Sequence, residues 1–337
     1  MGIKNTKLWR LLRRRKNAYL FKKHYRAAKK MPKKQYESYL TQRYKEMMNR
    51  HQYSAGKELN LAHPVTFTEK CQWIKLYDQD PRKPIFSDKY AVRQFIKDTI
   101  GEEYLVPLIS IDGVDHFTNA NQIDFSKLPN SFVLKCNHGS HMNLIVKNKS
   151  ELSNKDIRKI KAQLNKWLSI DYVFYVALET QYAGIKPYII IEQFLDDIDS
   201  MREFKFTYFN NKLAFFWISE REVGVSRRTT TFLPDNSLAK FNFDLDTDKH
   251  VTNATLPKDF NKMREMADLL SKTFTMVRVD FYYSNNKILF SELTFNSAAG
   301  FDAPRPIQYD EILGNMLEID ENKRKNNYEY RTNEESN

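Results

Sequence analysis

Cysteine is almost missing from this chain of 337 residues: Cys71 and Cys136 are the only two. Two thiols cannot build a disulfide framework, and this suits a reducing compartment. Cys136 stands in an apolar stretch and reads as a small core residue rather than a nucleophile. Glycine is scarce too, with nine residues, and none of them makes a Walker-type phosphate loop. His138 and His141 lie three apart, but no carboxylate or cysteine pattern completes a zinc site around them. No Ser–His or Cys–His constellation appears, and no internal repeat. Long apolar runs are absent: nothing approaches the roughly 20 residues of a membrane-crossing helix. The apolar segment of a secretory signal is also lacking, so the protein is expected to stay in the cytoplasm.

Acidic residues are nearly excluded from one region. Residues 1–50 hold 17 Lys and Arg against 2 Asp and Glu, a net of +15. Because the whole chain carries +12, the remainder stands at −3. The basic character therefore belongs to an N-terminal appendage, and the nearly neutral body argues against a nucleic-acid partner. Leu8, Trp9, Leu12, Tyr19 and Leu20 can share one helical face among Arg13, Arg14, Arg15 and Lys16. A second segment repeats the pattern with Tyr36, Tyr39, Leu40, Tyr44, Met47 and Met48. Such helices suit an anionic membrane surface, which would place the protein peripherally at the inner membrane face, or an acidic polymer. They equally suit a solvated helix packed on the body by its aromatic side.

What the chain does have is core material: 41% hydrophobic and 14% aromatic residues exclude disorder for most of its length. The stretch with most chemistry is 276–296. Its two halves alternate with the period of a strand around Ser284-Asn285-Asn286, which predicts a β-hairpin. Val277, Val279 and Phe281 point one way, Arg278 and Asp280 the other. On the return strand Leu293 and Phe295 are apolar, while Glu292, Thr294 and Asn296 are polar. With a loop over 285–287, Asp280 faces Glu292. Neighbouring carboxylates repel unless a cation separates them, and Mg²⁺ is bound through one or two carboxylates plus substrate phosphates. Arg278 adds a phosphate donor. An ordinary solvated face with an Arg–Asp pair is the simpler reading of the hairpin alone.

Along the chain, Thr66 and Glu69 make a capping box for a helix, and a further helix ends near Gly101. Residues 104–109 read as an apolar strand. Residues 132–136 form another, with Lys135 near its end, then a turn over 137–143 and a second strand. A lysine in an apolar strand is costly without an anion, unless it snorkels from an edge. Residues 153–170 form a basic amphipathic helix, and 188–195 a buried strand running into Asp197-Ile198-Asp199. That strand could carry an adenine ring along its backbone, with an acid on the ribose. Asp-x-Asp could instead hold a nucleotide-sugar diphosphate in a glycosyltransferase, and an acidic turn closing a strand is the plainest reading. Residues 204–209 and 213–217 flank Asn210-Asn211-Lys212 as another hairpin, with Lys205 opposite Phe204 and Phe206. Arg227 to Thr231 reads as a polar loop suited to phosphate or carboxylate. A helix follows over 262–274, and the tail from Glu321 reads as disordered.

With Lys89, Lys135, Glu192, Lys205, Arg278, Asp280 and Glu292 in this order, the chain resembles the ATP-grasp superfamily, in its TupA-like branch associated with teichuronopeptide and surface-polysaccharide synthesis. The carrying phrases are Lys75-Leu76-Tyr77-Asp78, Ser87-Asp88-Lys89-Tyr90-Ala91-Val92-Arg93, Val133-Leu134-Lys135-Cys136-Asn137-His138-Gly139-Ser140, Val277-Arg278-Val279-Asp280 and Glu292-Leu293-Thr294-Phe295. The resemblance implies an α+β fold whose two lobes clasp ATP. It implies an N-terminal extension over 1–60, a leading region over 61–130, the ATP-grasp domain over 131–320 and a tail over 321–337. It places ATP on Lys89, Lys135, Ser140, Glu192, Leu195 and Asp199, and Mg²⁺ on Asp280 and Glu292. Arg278, Lys205 and Arg228 would be the catalytic cations. The superfamily's Glu-x-Asn becomes Glu292-Leu293-Thr294 here, so Asn296 substitutes as a metal ligand or the second metal site is altered. The reaction implied joins a carboxylate on a sugar or polymer to an amino-acid amine at the expense of ATP, and needs no protein nucleophile. A metal-dependent glycosyltransferase and a non-enzymatic polymer-binding protein are the competing classes.

Overall fold

The computed structural model describes residues 25–50, 58–195, 201–220, 228–243 and 254–324. Within them β1 (His116–Phe117), β2 (Phe132–Cys136), β3 (Asn143–Val146) and β4 (Ile189–Gln193) make a small antiparallel sheet in the order β1-β4-β2-β3. A larger antiparallel sheet runs β7-β6-β5-β8-β9, built from β5 (Arg202–Phe209), β6 (Lys212–Glu220), β7 (Arg228–Phe232), β8 (Met276–Ser284) and β9 (Lys287–Thr294). The helices that matter here are α1 (Tyr36–Arg50), α2 (Phe67–Tyr77), α3 (Arg82–Ser87), α4 (Val92–Thr99), α5 (Asn154–Leu168), α6 (Phe260–Leu270) and α7 (Gln308–Met316). None of the described helices is long and apolar enough to cross a membrane.

Local chemistry sets these boundaries. Thr66 and Glu69 close the capping box at the start of α2, and Ser153 with Asp156 does the same for α5. Two hairpins of the large sheet, β5–β6 and β8–β9, turn on a pair of asparagines, Asn210-Asn211 and Asn285-Asn286, all four with positive φ. Positive φ at both central positions is the mirror-image turn that matches strand twist, and asparagine tolerates it. The apolar alternation then buries Phe204, Phe206, Val277, Val279 and Phe281 against α6 and α4. On the opposite face Phe215, Trp217 and Met276 pack with α1, α2 and α7. A third cluster holds α5 on the small sheet through Leu164.

Helix α1 spends its aromatic side on the body: Tyr39, Leu40, Tyr44 and Met48 are buried, and the Tyr44 hydroxyl lies 2.8 Å from Thr68 Oγ1. Residues 1–24, the other half of the basic appendage, lie outside the described residues, as do 325–337. Two expectations change. Residues 104–109 are not a strand of either sheet, because Pro107 has no N–H to donate. Instead Leu105 bridges Phe290 on β9 and Leu108 bridges Glu192 on β4, so the segment ties one sheet to the other. Residues 227–231 are expected as loop, but 228–232 form edge strand β7 through a run of β-branched threonines paired with β6.

Candidate active site

The polar face of the large sheet is organised in two cross-strand rows. One row reads Trp217, Lys205, Asp280, Glu292, and the next Phe215, Thr207, Arg278, Thr294. Asp280 does face Glu292, but by a different route from the one expected. The loop has two residues, and an irregularity between Asp280 and Phe281 supplies the extra step. Asp280 is 1% exposed. Arg278 grips it with two parallel bonds, Nε to Oδ1 and Nη2 to Oδ2, both 2.7 Å, and Lys205 Nζ reaches Oδ2 at 2.9 Å. Burial would raise the Asp280 carboxyl, but Arg278 and Lys205 outweigh it and hold it below the usual range. Arg278 also donates to Thr294 Oγ1 (3.1 Å) and Ser297 Oγ (2.8 Å), and sits 3.4 Å from Glu292. Its guanidinium lies over the Trp217 ring. The cation separating the two carboxylates in this structure is thus Arg278.

A cleft between the sheets faces this row. Lys135 and Glu192 come from the small sheet, Lys89 and Arg93 from the entry to α4, and Ser291 and Glu292 from β9; Leu105 and Val106 form the floor. The enclosed space is only about 30 Å³, room for about one or two waters. Lys135 Nζ is 2.5 Å from Glu192. Burial lowers the Lys135 ammonium, yet Glu192 more than offsets this and raises it. Lys89 is treated differently. Its Nζ donates to the Gly139 carbonyl at 2.5 Å, and no carboxylate lies within 4.0 Å of it or of Arg93 among the described residues. Burial accordingly pulls the pKa of both groups down. The loop carrying Gly139 leaves no room for a side chain there: an added Cβ would stand 2.4 Å from the Tyr172 ring.

Lys89, Lys135, Glu192 and Glu292 therefore share one cleft, and Lys205, Arg278, Asp280 and Glu292 one sheet face. Ser140 and Leu195 do not line the cleft; Ser140 offers its carbonyl to the Tyr172 hydroxyl. Asn296 is buried with its Nδ2 donating to Gln181 Oε1 at 2.7 Å, and its Oδ1 has no hydrogen-bond partner among the described residues. Asp197, Asp199 and the Arg228 side chain lie outside the described residues. Arg93 and Tyr182, both lining the cleft, received no role from the sequence. Arg93 follows Lys89 by four residues, a spacing that shares a helical side; nothing in the sequence marks Tyr182.

A family model described as TupA-like ATPgrasp matches residues 69–318. The chain belongs to that family. No curated protein matches it. Solved structures with a similar mixed α/β arrangement include D-alanine–D-alanine ligase from Helicobacter pylori, at 13% identity over 75% of this chain and 69% of that one, with a TM-score of 0.38. The Bacillus anthracis enzyme complexed with ATP matches at 12% identity and a TM-score of 0.37 over 63% of this chain. N5-carboxyaminoimidazole ribonucleotide synthetase from Thermus thermophilus gives 10% identity and 0.34, covering 63% of this chain and 45% of that one. This TupA-like chain spans 55% of the length of the anthracis ligase.

The donor set of the TupA-like cleft suits a triphosphate: two half-buried cations, Lys89 and Arg93, stand there with no carboxylate within 4.0 Å among the described residues, beside a third held by Glu192. For a divalent ion the fit is narrower. No cluster of three or more His, Cys, Asp or Glu suited to a metal occurs among the described residues. Asp280 and Glu292 are the available pair, with phosphate oxygens left to complete the shell.

Proposed function

We propose that this TupA-like protein is an ATP-dependent carboxylate–amine ligase acting on a surface polysaccharide or teichuronopeptide-type polymer. The observation that carries the reading is the gathering of Lys89, Arg93 and Lys135 in one cleft, with no carboxylate within 4.0 Å of Lys89 or Arg93 among the described residues. A buried cation without an anion is costly, and a bound polyphosphate supplies the missing charge. ATP would enter with its phosphates on Lys89, Arg93 and Lys135 and its base toward Glu192 and β4. Asp280 and Glu292 would hold Mg²⁺, which when bound neutralises charge on the transferring phosphoryl group. A substrate carboxylate oxygen attacks the γ-phosphorus, the bond to ADP breaks, and an acyl phosphate forms. An amine nitrogen then attacks the acyl carbon, phosphate departs, and the nitrogen loses a proton. Arg278, already fixed by Asp280, is placed to stabilise charge at the reacting phosphate without reorganising. The polymer and amine classes rest on the family branch alone.

The deciding assay supplies ATP and Mg²⁺ with uronic acids and amino acids and measures ADP by mass spectrometry. ADP release should require a carboxylate acceptor, and Lys89→Met should weaken ATP binding by roughly tenfold or more, the loss of one charge-assisted contact, while melting at the wild-type temperature. Failure of the wild-type chain to bind ATP would end the proposal.

A further inference from the structure

Two hollows larger than the nucleotide cleft lie outside it. One measures about 390 Å³ and is walled by residues 171–184 against residues 78–84 and α1. The second, about 300 Å³, continues from it past Asp171 and Gly184 to His138. Each falls in the range of about 300–1,000 Å³ typical of ligand sites, whereas the nucleotide cleft encloses about 30 Å³. Together they form a groove longer than one compact ligand needs.

Two contacts join this groove to the chemistry. Tyr182 lines both the groove and the nucleotide cleft. Gln181 lines the groove and accepts from Asn296, two residues beyond the end of β9. A chain lying in the groove would meet the phosphates only by passing Tyr182.

The lining selects a class of occupant. Tyr36 and Phe174 meet edge to face with centroids 6.4 Å apart, giving an aromatic wall. Gln79 and Asp171 supply side-chain acceptors beside it, while Gln79 Nε2 and the Thr180 hydroxyl both donate to the Lys75 carbonyl. The charges nearby are largely balanced from within: Asp78 is held by Lys83 at 2.9 Å and Lys323 at 2.7 Å, and Asp80 by Arg82 at 2.5 Å. Aromatic faces interleaved with amide, hydroxyl and carboxylate groups match sugar rings, whose C–H faces stack while their hydroxyls hydrogen-bond.

We propose that this groove binds the saccharide chain of a carboxylate-bearing acceptor and delivers its carboxylate past Tyr182 to the nucleotide cleft. The proposal rests on the ligase reading for its direction of delivery, but groove binding can be measured by itself. The test is calorimetric titration of the full chain with galacturonic acid and its dimer, trimer and hexamer, alongside titration with a slowly hydrolysed ATP analogue. Affinity should rise from monomer to trimer. Ala183→Trp, which places a bulky ring at an exposed groove position, and Phe174→Ala, which removes the aromatic wall, should each weaken trimer binding by roughly tenfold. The affinity for the ATP analogue should be unchanged in Ala183→Trp, and that variant, exposed in the native fold, should melt at the wild-type temperature. A trimer that binds no better than the monomer, or that binds Ala183→Trp as tightly as wild type, overturns the groove even where the ATP analogue binds. A trimer that binds as described to a chain indifferent to ATP sustains the groove and removes the ligase.

Discussion

Asp280 is the closest counter-charge of two cations, Arg278 at 2.7 Å and Lys205 at 2.9 Å. Replacing it with asparagine leaves Arg278 only Glu292, at 3.4 Å, and Lys205 only Glu203, at 3.1 Å. Breaking a buried ion pair from one side costs about 3–5 kcal/mol, which is of the order of a third or more of a typical domain's stability. Asp280→Asn should therefore lower the urea midpoint strongly as well as abolish turnover. Glu292→Gln should abolish turnover with little change in midpoint, since the Glu292 side chain is 36% exposed. Equal midpoints for the two variants would show that Asp280 is not a structural keystone. Lys75 is another buried residue with a job the sequence does not announce. It is 1% exposed in α2, and its Nζ donates to the Ala177 and Ala299 carbonyls at 2.8 and 2.7 Å. Its phrase marks the family resemblance, but partners more than a hundred residues away are invisible to periodicity. Burial pushes its pKa down to about 7, only partly opposed by Glu179, itself pushed up by burial to about 7. Between about 7 and the ordinary lysine value of 10.5 the unfolded chain binds a proton at this site that the folded chain does not. Stability therefore rises with pH across that window. Thermal melts of wild type and Lys75→Met across that range check it: the variant should lack this rising limb.

At the scale of the element, the hairpin was legible because strand period and a turn signal agree over 276–296. Its register was right for an incomplete reason: a two-residue Asn-Asn turn and an irregular step after Asp280 together give the pairing that a three-residue loop would give. An irregularity of that kind leaves no residue-type signature in the strand, whereas the asparagines of the turn do. Beyond the hairpin the chain does something that periodicity cannot foresee. Ala298, Ala299 and Gly300 all take positive φ, at 46°, 56° and 76°. Gln72 and Lys75 hold the carbonyls of this stretch, so α2 fixes a conformation that alanine disfavours. A left-handed alanine costs about 1–2 kcal/mol, and glycine loses roughly 0.5–1 kcal/mol more chain entropy on folding. Ala299 is buried, so its methyl carries packing energy, but Ala298 is exposed. Ala298→Gly should therefore stabilise the protein, by about 0.5–1 kcal/mol. Urea denaturation decides the sign, and a loss of stability would mean that the left-handed turn carries no strain.

For the whole molecule, the resemblance to ATP-grasp proteins implied a two-lobed α+β body, and the placement of Lys135 and Glu292 in one cleft goes with the segment over 105–109 that bridges β4 and β9. What the sequence could not convey is how tightly the lobes approach. Some 30 Å³ admits no nucleotide, so ATP can enter only if the lobes part or the loop over 137–142 lifts. The connection that would resist parting is residues 105–109, where Gln193 N donates to Pro107 O at 2.9 Å and Ile109 N to Ile191 O at 2.8 Å. These bonds join the segment to β4, while Leu105 alone bridges to β9. One bridge yields more easily than a paired stretch, so rotation should occur between Leu105 and β9 with the β4 side intact. Amide hydrogen exchange with and without a slowly hydrolysed ATP analogue follows each side separately. Ile109 and Gln193 should stay protected in both conditions, and amides of 139–142 should gain protection as they cover the phosphates. Loss of protection at Ile109 and Gln193 on nucleotide binding would place the hinge at β4 instead, and unchanged exchange over 139–142 would remove that loop from the phosphate site.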